Sequence, residues 1–178
     1  MKQYCPVCLR EREVRLAQKE ETYPVKGEAI SVAATVCACA VCGEELLSIE
    51  YDDENLRKAY EKYRALHGLL TPPEIKAIRE SYGVSQVTFA RVLGVGDKTI
   101  ARYENGSLQD CAINNLILLA KDPKNFMLLL DKNEHCIAAD EAKHLRAACG
   151  QVKVYVLWKN EPKDYTYDMP INGRIQCA

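Results

Sequence analysis

Apolar positions in the first third of the chain alternate instead of recurring at helical spacing. Glu13 to Thr22 is extended and mostly polar, and Ala29 to Val36 places Ile30, Val32 and Ala34 on one face. Lys26-Gly27-Glu28, between them, predicts a hairpin turn. The period then changes. From Asp52 to His67 the residues Leu56, Ala59, Tyr60 and Tyr63 form a helical stripe, which Asp52 or Asp53 can cap and Gly68 can end.

Thr71-Pro72-Pro73 opens a series of short helices. Proline is harmless in a first turn, where its missing N–H would go unused. Ile75, Ile78 and Tyr82 give the first of these helices its inner face, and Gly83 stops it. Ser85 caps the next, with Phe89, Ala90 and Leu93 inward. Gly94-Val95-Gly96 predicts a tight turn, and Asp97 to Glu104 a third helix closed by Asn105-Gly106. Asp110 caps a fourth, with Ile113, Leu116, Ile117 and Ala120 inward, and Asp122-Pro123 opens a fifth that runs to about Leu130. Short helices on short connections predict one all-α unit. Past Asp131 the pattern weakens. Ala139 to Cys149 reads as helix, Val152 to Trp158 as β-prone, and the polar residues from Pro162 on as poorly ordered. The expected architecture is α+β. It comprises a β-rich module over 1–50, a linking helix over 51–70, a five-helix unit over 71–131 and a C-terminal extension over 132–178.

Composition changes this picture in two ways. The 178 residues carry a net charge of -1, so any nucleic-acid reading needs a local motif, not a basic excess. Met1 to Arg15 is too polar for a signal peptide, and no apolar run approaches the ~18–20 residues that span a bilayer. The expected location is therefore cytoplasmic, with no membrane partner. Nine cysteines are many for a reducing compartment, where clustered thiols point to metal or catalysis before disulfides.

Cys5-Pro6-Val7-Cys8 and Cys39-Ala40-Val41-Cys42 bracket the hairpin, the second followed by Gly43. Each C-x-x-C turn can grip one ion with two thiolates, and two such knuckles complete the tetrahedron of a closed structural zinc site. Such a site keeps no open position for substrate, so the metal is expected to hold shape. Cys37-Ala38-Cys39 also brings two sulfurs close, so Cys37 is an alternative to Cys39. The matching spacing and Gly43 favour Cys39. A redox pair would need a thioredoxin-like βαβ setting, which is not evident. His135, Cys136, His144 and Cys149 lack knuckle spacing. No Ser/His/Asp grouping, Gly-rich phosphate loop or paired carboxylates are apparent, so an enzyme is not expected.

Val84 to Gly106 predicts a helix-turn-helix. Ala90 is small where two helices cross, Gly94 permits the turn, and Val95 and Ile100 anchor it from inside. This arrangement presents the start of a recognition helix to a major groove of double-stranded DNA. Gln86, at the start of the preceding helix, can meet a phosphate with its amide. Asp97, Lys98 and Thr99 open the recognition helix. Lys98, and Arg102 one turn further on, can read guanine edges or phosphates. Arg91 reads as solvated, and Tyr103 as core in preference to a phosphate donor. Leu118, Leu119, Phe126 and Leu129 exceed what one small core needs, so some are assigned to a homodimer interface.

Over Met1 to Leu130 the chain resembles the MqsA antitoxin family, the YgiT-type zinc-finger/helix-turn-helix proteins. The two C-x-x-C pairs, the hairpin-length gap between them, and Arg102-Tyr103-Glu104 followed by Gly106 carry the resemblance. The helix-turn-helix alone is shared with the larger Xre-type (lambda-repressor-like) class. The resemblance implies an N-terminal domain that binds zinc and grips a toxin. It also implies a C-terminal domain that dimerises on a palindromic operator and represses its own operon. The family's main base contacts fall on the positions of Lys98 and Arg102, although the family more often carries asparagine at the first. The alternative is a phage or mobile-element repressor of the same architecture without a toxin. Glu11, Glu13, Glu20, Glu21 and Glu28 on or beside the hairpin suit a basic partner.

Overall fold

The computed structural model describes residues 1–150. The expected strand at Val152 to Trp158 and the polar residues from Pro162 lie outside the described residues. Four antiparallel strands form one sheet in the order β1 (Lys2–Cys5), β2 (Arg10–Val25), β3 (Glu28–Cys39) and β4 (Glu45–Leu46). The sheet is mostly one long hairpin. Val25 pairs with Glu28 across a two-residue turn in which Lys26 and Gly27 have φ of 49° and 87°. Positive φ at both central residues is what lets such a turn match the strand twist.

Helix α1 (Ile49–His67) lies on the sheet. Its buried face differs from the expected stripe. Asn55 is fully buried beside Ala59 and Tyr63, whereas Leu56 is 37% exposed. The reason is polar. Asn55 Oδ1 accepts from the Thr35 N–H and Asn55 Nδ2 donates to the Thr35 carbonyl, both at 2.8 Å. One amide thereby occupies a backbone position on the β3 edge that no strand pairs, and buried backbone groups need such partners. Ala59 and Tyr63 then meet Val25, Ile30 and Val32. The helix also starts earlier than expected. Ser48 is its cap, without a side-chain bond, and Asp52 falls within the first turn.

Six further helices follow among the described residues: α2 (Pro72–Ser81), α3 (Gln86–Val92), α4 (Thr99–Glu104), α5 (Cys111–Leu119), α6 (Pro123–Asn133) and α7 (Ala139–Gly150). Thr71 and Glu74 close a capping box on α2, and Ser85, Asp110 and Asp122 each accept a backbone N–H at their helix starts. The third expected helix is shorter than its pattern suggested. It begins at Thr99, with Lys98 at the cap and Asp97 in the preceding turn.

One core joins these helices. Ile75, Phe89, Ile100, Ile117, Phe126 and Leu130 are each fully buried in it. Phe126 stacks on Tyr82 with ring centroids 3.8 Å apart, so it belongs to this core and is not available to a second copy. Leu118 and Leu119 are 49% and 57% exposed, with Leu128 at 68%, and Leu129 is partly buried. The core does not stop where the apolar pattern fades. Ile137, Ala142 and Leu145 belong to it, so the segment beyond 131 packs as part of the helical unit as far as α7 is described. Truncating Leu145 to alanine should therefore cost about 2–4 kcal/mol. Urea unfolding followed by helical circular dichroism measures it, and an unchanged midpoint would place α7 outside the core.

Candidate metal centre and nucleic-acid interface

The two knuckles are hairpin ends. The first joins β1 to β2, and the second follows β3. Register brings them together, because Cys5 pairs with Arg10 and Val14 with Cys39. The Gly43 N–H donates to the Cys39 carbonyl at 2.9 Å, and Gly43 has a φ of 78°, which favours a residue without Cβ. The sulfurs of Cys5, Cys8, Cys39 and Cys42 lie within 4.8 Å of one another, with Cys5 and Cys42 at 3.4 Å. Cys37 is buried against Leu46 and its neighbours, outside this group of four. The ambiguity between Cys37 and Cys39 is thus resolved by strand position. His135, Cys136 and His144 form no such group among the described residues.

The electrostatics of the cluster call for a cation. The Cys42 N–H lowers the Cys39 thiol to about 6, against burial that raises it, and the Val41 N–H adds to the lowering. The Glu44 N–H lowers Cys42, yet burial and the sulfurs of Cys5, Cys39 and Cys8 push it up to about 12. Four sulfurs this close cannot ionise together unless positive charge sits among them. Four soft donors, with no fifth ligand among the described residues, are the donor set of a structural zinc.

In the helical unit, α3, the Gly94-Val95-Gly96 turn and α4 form a compact pair. Ala90 and Ile100 are fully buried and Tyr103 nearly so. Lys98 at the cap of α4 and Arg102 on α4 are exposed, and Thr99 is half-buried. Arg102 also borders a cleft of about 280 Å³ shared with Lys26 of the hairpin turn and Tyr60 of α1. Asp97 is exposed but engaged. Its carboxylate accepts from Arg91 Nε at 3.0 Å and Nη2 at 2.9 Å. This bond lowers the Asp97 carboxyl and raises Arg91, which the sequence suggested was merely solvated.

Gln86 points inward at another acid. Its Nε2 donates to Glu104 at 2.7 Å, and Arg79 donates to the same carboxylate through Nε at 2.6 Å and Nη2 at 3.0 Å. The network ties α2, α3 and α4 together. Sequence reasoning missed it, and also Arg64, which is 4% exposed on α1 and donates to the Gly106 carbonyl at 2.6 Å. Lys26 Nζ donates to the Gln109 carbonyl at 2.8 Å. Through these two bonds α1 and the hairpin turn hold the loop that follows α4. A cation at a helical stripe position normally snorkels to solvent, so nothing local marked Arg64 as buried.

The family described as the antitoxin component of the bacterial toxin-antitoxin system, MqsA, matches residues 1–130. The chain belongs to the MqsA antitoxin family. Among curated proteins no relative matches the chain. MqsA membership makes the four-cysteine cluster a structural zinc site and implies a toxin partner. Among the described residues no helix is long and apolar enough to cross a membrane.

Two outcomes are expected. Purified protein should carry about one zinc per chain. Serine at Cys5, Cys8, Cys39 or Cys42 should lower that content and unfold the sheet module, because metal binding supplies much of so small a module's folding free energy. Metal analysis with near-ultraviolet circular dichroism reads both, and a metal-free chain with native signals would exclude the site. The second concerns Glu104. Burial raises its carboxyl, but hydrogen bonds from Arg79 and Gln86 and the guanidinium charge outweigh this and hold it below the ordinary carboxylate value. Stability from a depressed carboxyl is complete above that ordinary value and is lost as pH falls through the folded one. Glu104→Gln should accordingly lose stability at neutral pH and show a shallower acid limb in urea titrations. A limb as steep as that of the wild type would exclude Glu104 as its source.

Proposed function

We propose that this antitoxin is a sequence-specific DNA-binding repressor of its own operon. The supporting observation is the exposed pair Lys98 and Arg102 on a short helix whose opposite face, Ile100 and Tyr103, is locked in the core. That placement suits a recognition helix of a helix-turn-helix domain over 71–131, with a zinc module over 1–50 and a linking helix over 51–70. Lys98 and Arg102 reach base edges in the major groove. Thr99 and Asp97 lie at the groove edge, with Arg91 offsetting the charge of Asp97. Gln86 acts near the phosphate backbone, its amide oriented by Glu104.

The protein acts as a homodimer on a palindromic operator. A single helix-turn-helix reads few base pairs, and two-fold pairing places half-sites about one helical turn apart. Exposed Leu118, Leu119 and Leu128 are the apolar surface available to a second copy. The zinc module binds the toxin. Glu11, Glu13 and Glu20 remain exposed along β2, whereas Glu21 and Glu28 engage Lys19 and His67. A basic toxin would be steered to that strand.

One purified sample tests these roles. The wild type should bind its own upstream promoter duplex as a dimer and form a complex with the product of the adjacent gene. Arg102→Ala should cost ~1–3 kcal/mol of operator affinity and relax specificity at one position. It should leave toxin binding intact. Promoter affinity equal to that for random duplex in the wild type would reject the repressor role, and failure to bind the neighbour would reject the toxin role.

A further inference from the structure

The family match ends at residue 130, but the chain goes on through a 3-10 turn at Glu134–Cys136 into α7, and this added segment folds back on α3. Two of its polar contacts fall on the helix-turn-helix. Asn133 Nδ2 donates to the Val92 carbonyl at 2.9 Å. Val92 ends α3, where the helix has no partner of its own for its last carbonyls. The same amide covers Gly94. A Cβ built there would lie 3.2 Å from Asn133 Nδ2 and 3.5 Å from Oδ1, and Gly94 has a φ of 70°. The turn and the amide therefore interlock.

The other contact is at the opposite end of α3. Ser85 Oγ accepts the Thr88 N–H at 3.1 Å, and the Thr88 hydroxyl donates to Glu141 Oε1 at 2.7 Å. In a capping box a carboxylate or amide stands at the position of Thr88 itself. Here α7 brings a carboxylate to that place, and Thr88 is only 5% exposed beneath it. Arg146 secures α7 in turn, pairing with Asp131 and Glu134 at 2.8 Å each.

We propose that residues 131–147 are a buttress for DNA reading, with Asn133 and Glu141 as positioning residues. This rests on the DNA-binding function proposed above. Asn133 fixes the turn and Glu141 fixes the start of α3, so Lys98 and Arg102 are presented at one angle. Neither residue touches DNA. A segment that merely covered the core would affect thermal stability and leave the discrimination of a folded protein unchanged.

The test uses the full chain with Asn133→Ala, Asn133→Asp, Glu141→Ala and Glu141→Gln, at a temperature where circular dichroism shows each variant folded. The probes are the promoter duplex upstream of the chain's own gene and a random duplex of equal length. Loss of the Asn133 donor should weaken promoter binding roughly 3- to 30-fold. Random-duplex binding, set by phosphate charge, should hardly change. Glu141→Ala should follow the same pattern. Glu141→Gln should stay near wild type, because its amide oxygen accepts the same hydroxyl. Hydrogen exchange supplies a readout independent of DNA: amides from Gly94 to Ile100 should exchange faster in the Asn133 variants. Unchanged promoter affinity with unchanged exchange overturns the buttress. If the wild type itself fails to prefer the promoter, the repressor reading falls and the role in DNA reading falls with it; faster exchange at the turn then shows only that Asn133 holds the turn.

Discussion

Four sulfurs held within 4.8 Å of one another are an electrostatic demand that the polypeptide cannot meet alone. Most of the sheet module can be understood as the frame around that demand. Only β2 and β3 are long, and its aliphatic core is limited to residues such as Val25, Ile30 and Val32 beneath α1. A unit this small has little apolar area with which to offset chain entropy. A bound zinc would supply the missing cohesion where the sheet is thinnest, near the ends of β1 and β4. Tyr51 packs beside the cysteines, so the first turn of α1 is seated by the same centre.

The elements of this architecture were legible in the sequence wherever one local rule governed them. Knuckle spacing located the metal ligands, alternation located Ile30, Val32 and Ala34, and small residues located the turn at Gly94. What stayed hidden was polar and long-range. Asn55 displaced Leu56 from the buried stripe because a distant strand edge needed an amide. Gln86 turned inward because Glu104, 18 residues later, offered a carboxylate. Periodicity reports which face of an element is apolar. It carries no record of which buried polar group will find which partner. The last helix was legible as a helix but its place in the core was not, for a related reason: Ile137 before it and Ala142 and Leu145 on it are too sparse to form a convincing stripe, yet each fills a place in a core built by others.

The near-neutral charge of the chain also looks different once folded. Arg79, Arg91 and Arg146 are bound to carboxylates. Among the described residues neither Lys98 nor Arg102 enters an ion pair. The net charge of -1 therefore hides a local surface of opposite sign on α4.

Helix α1 is 19 residues long, about 28 Å at the rise of an α-helix. It begins against the cysteine centre, with Tyr51, and near its far end Arg64 grips the carbonyl of Gly106, just past α4. Between these points it is held on the sheet by Asn55, bonded to Thr35, and by Ala59 and Tyr63, packed on Val25, Ile30 and Val32. One helix therefore borders both the cysteine centre and the loop after α4, two places that share no side chain.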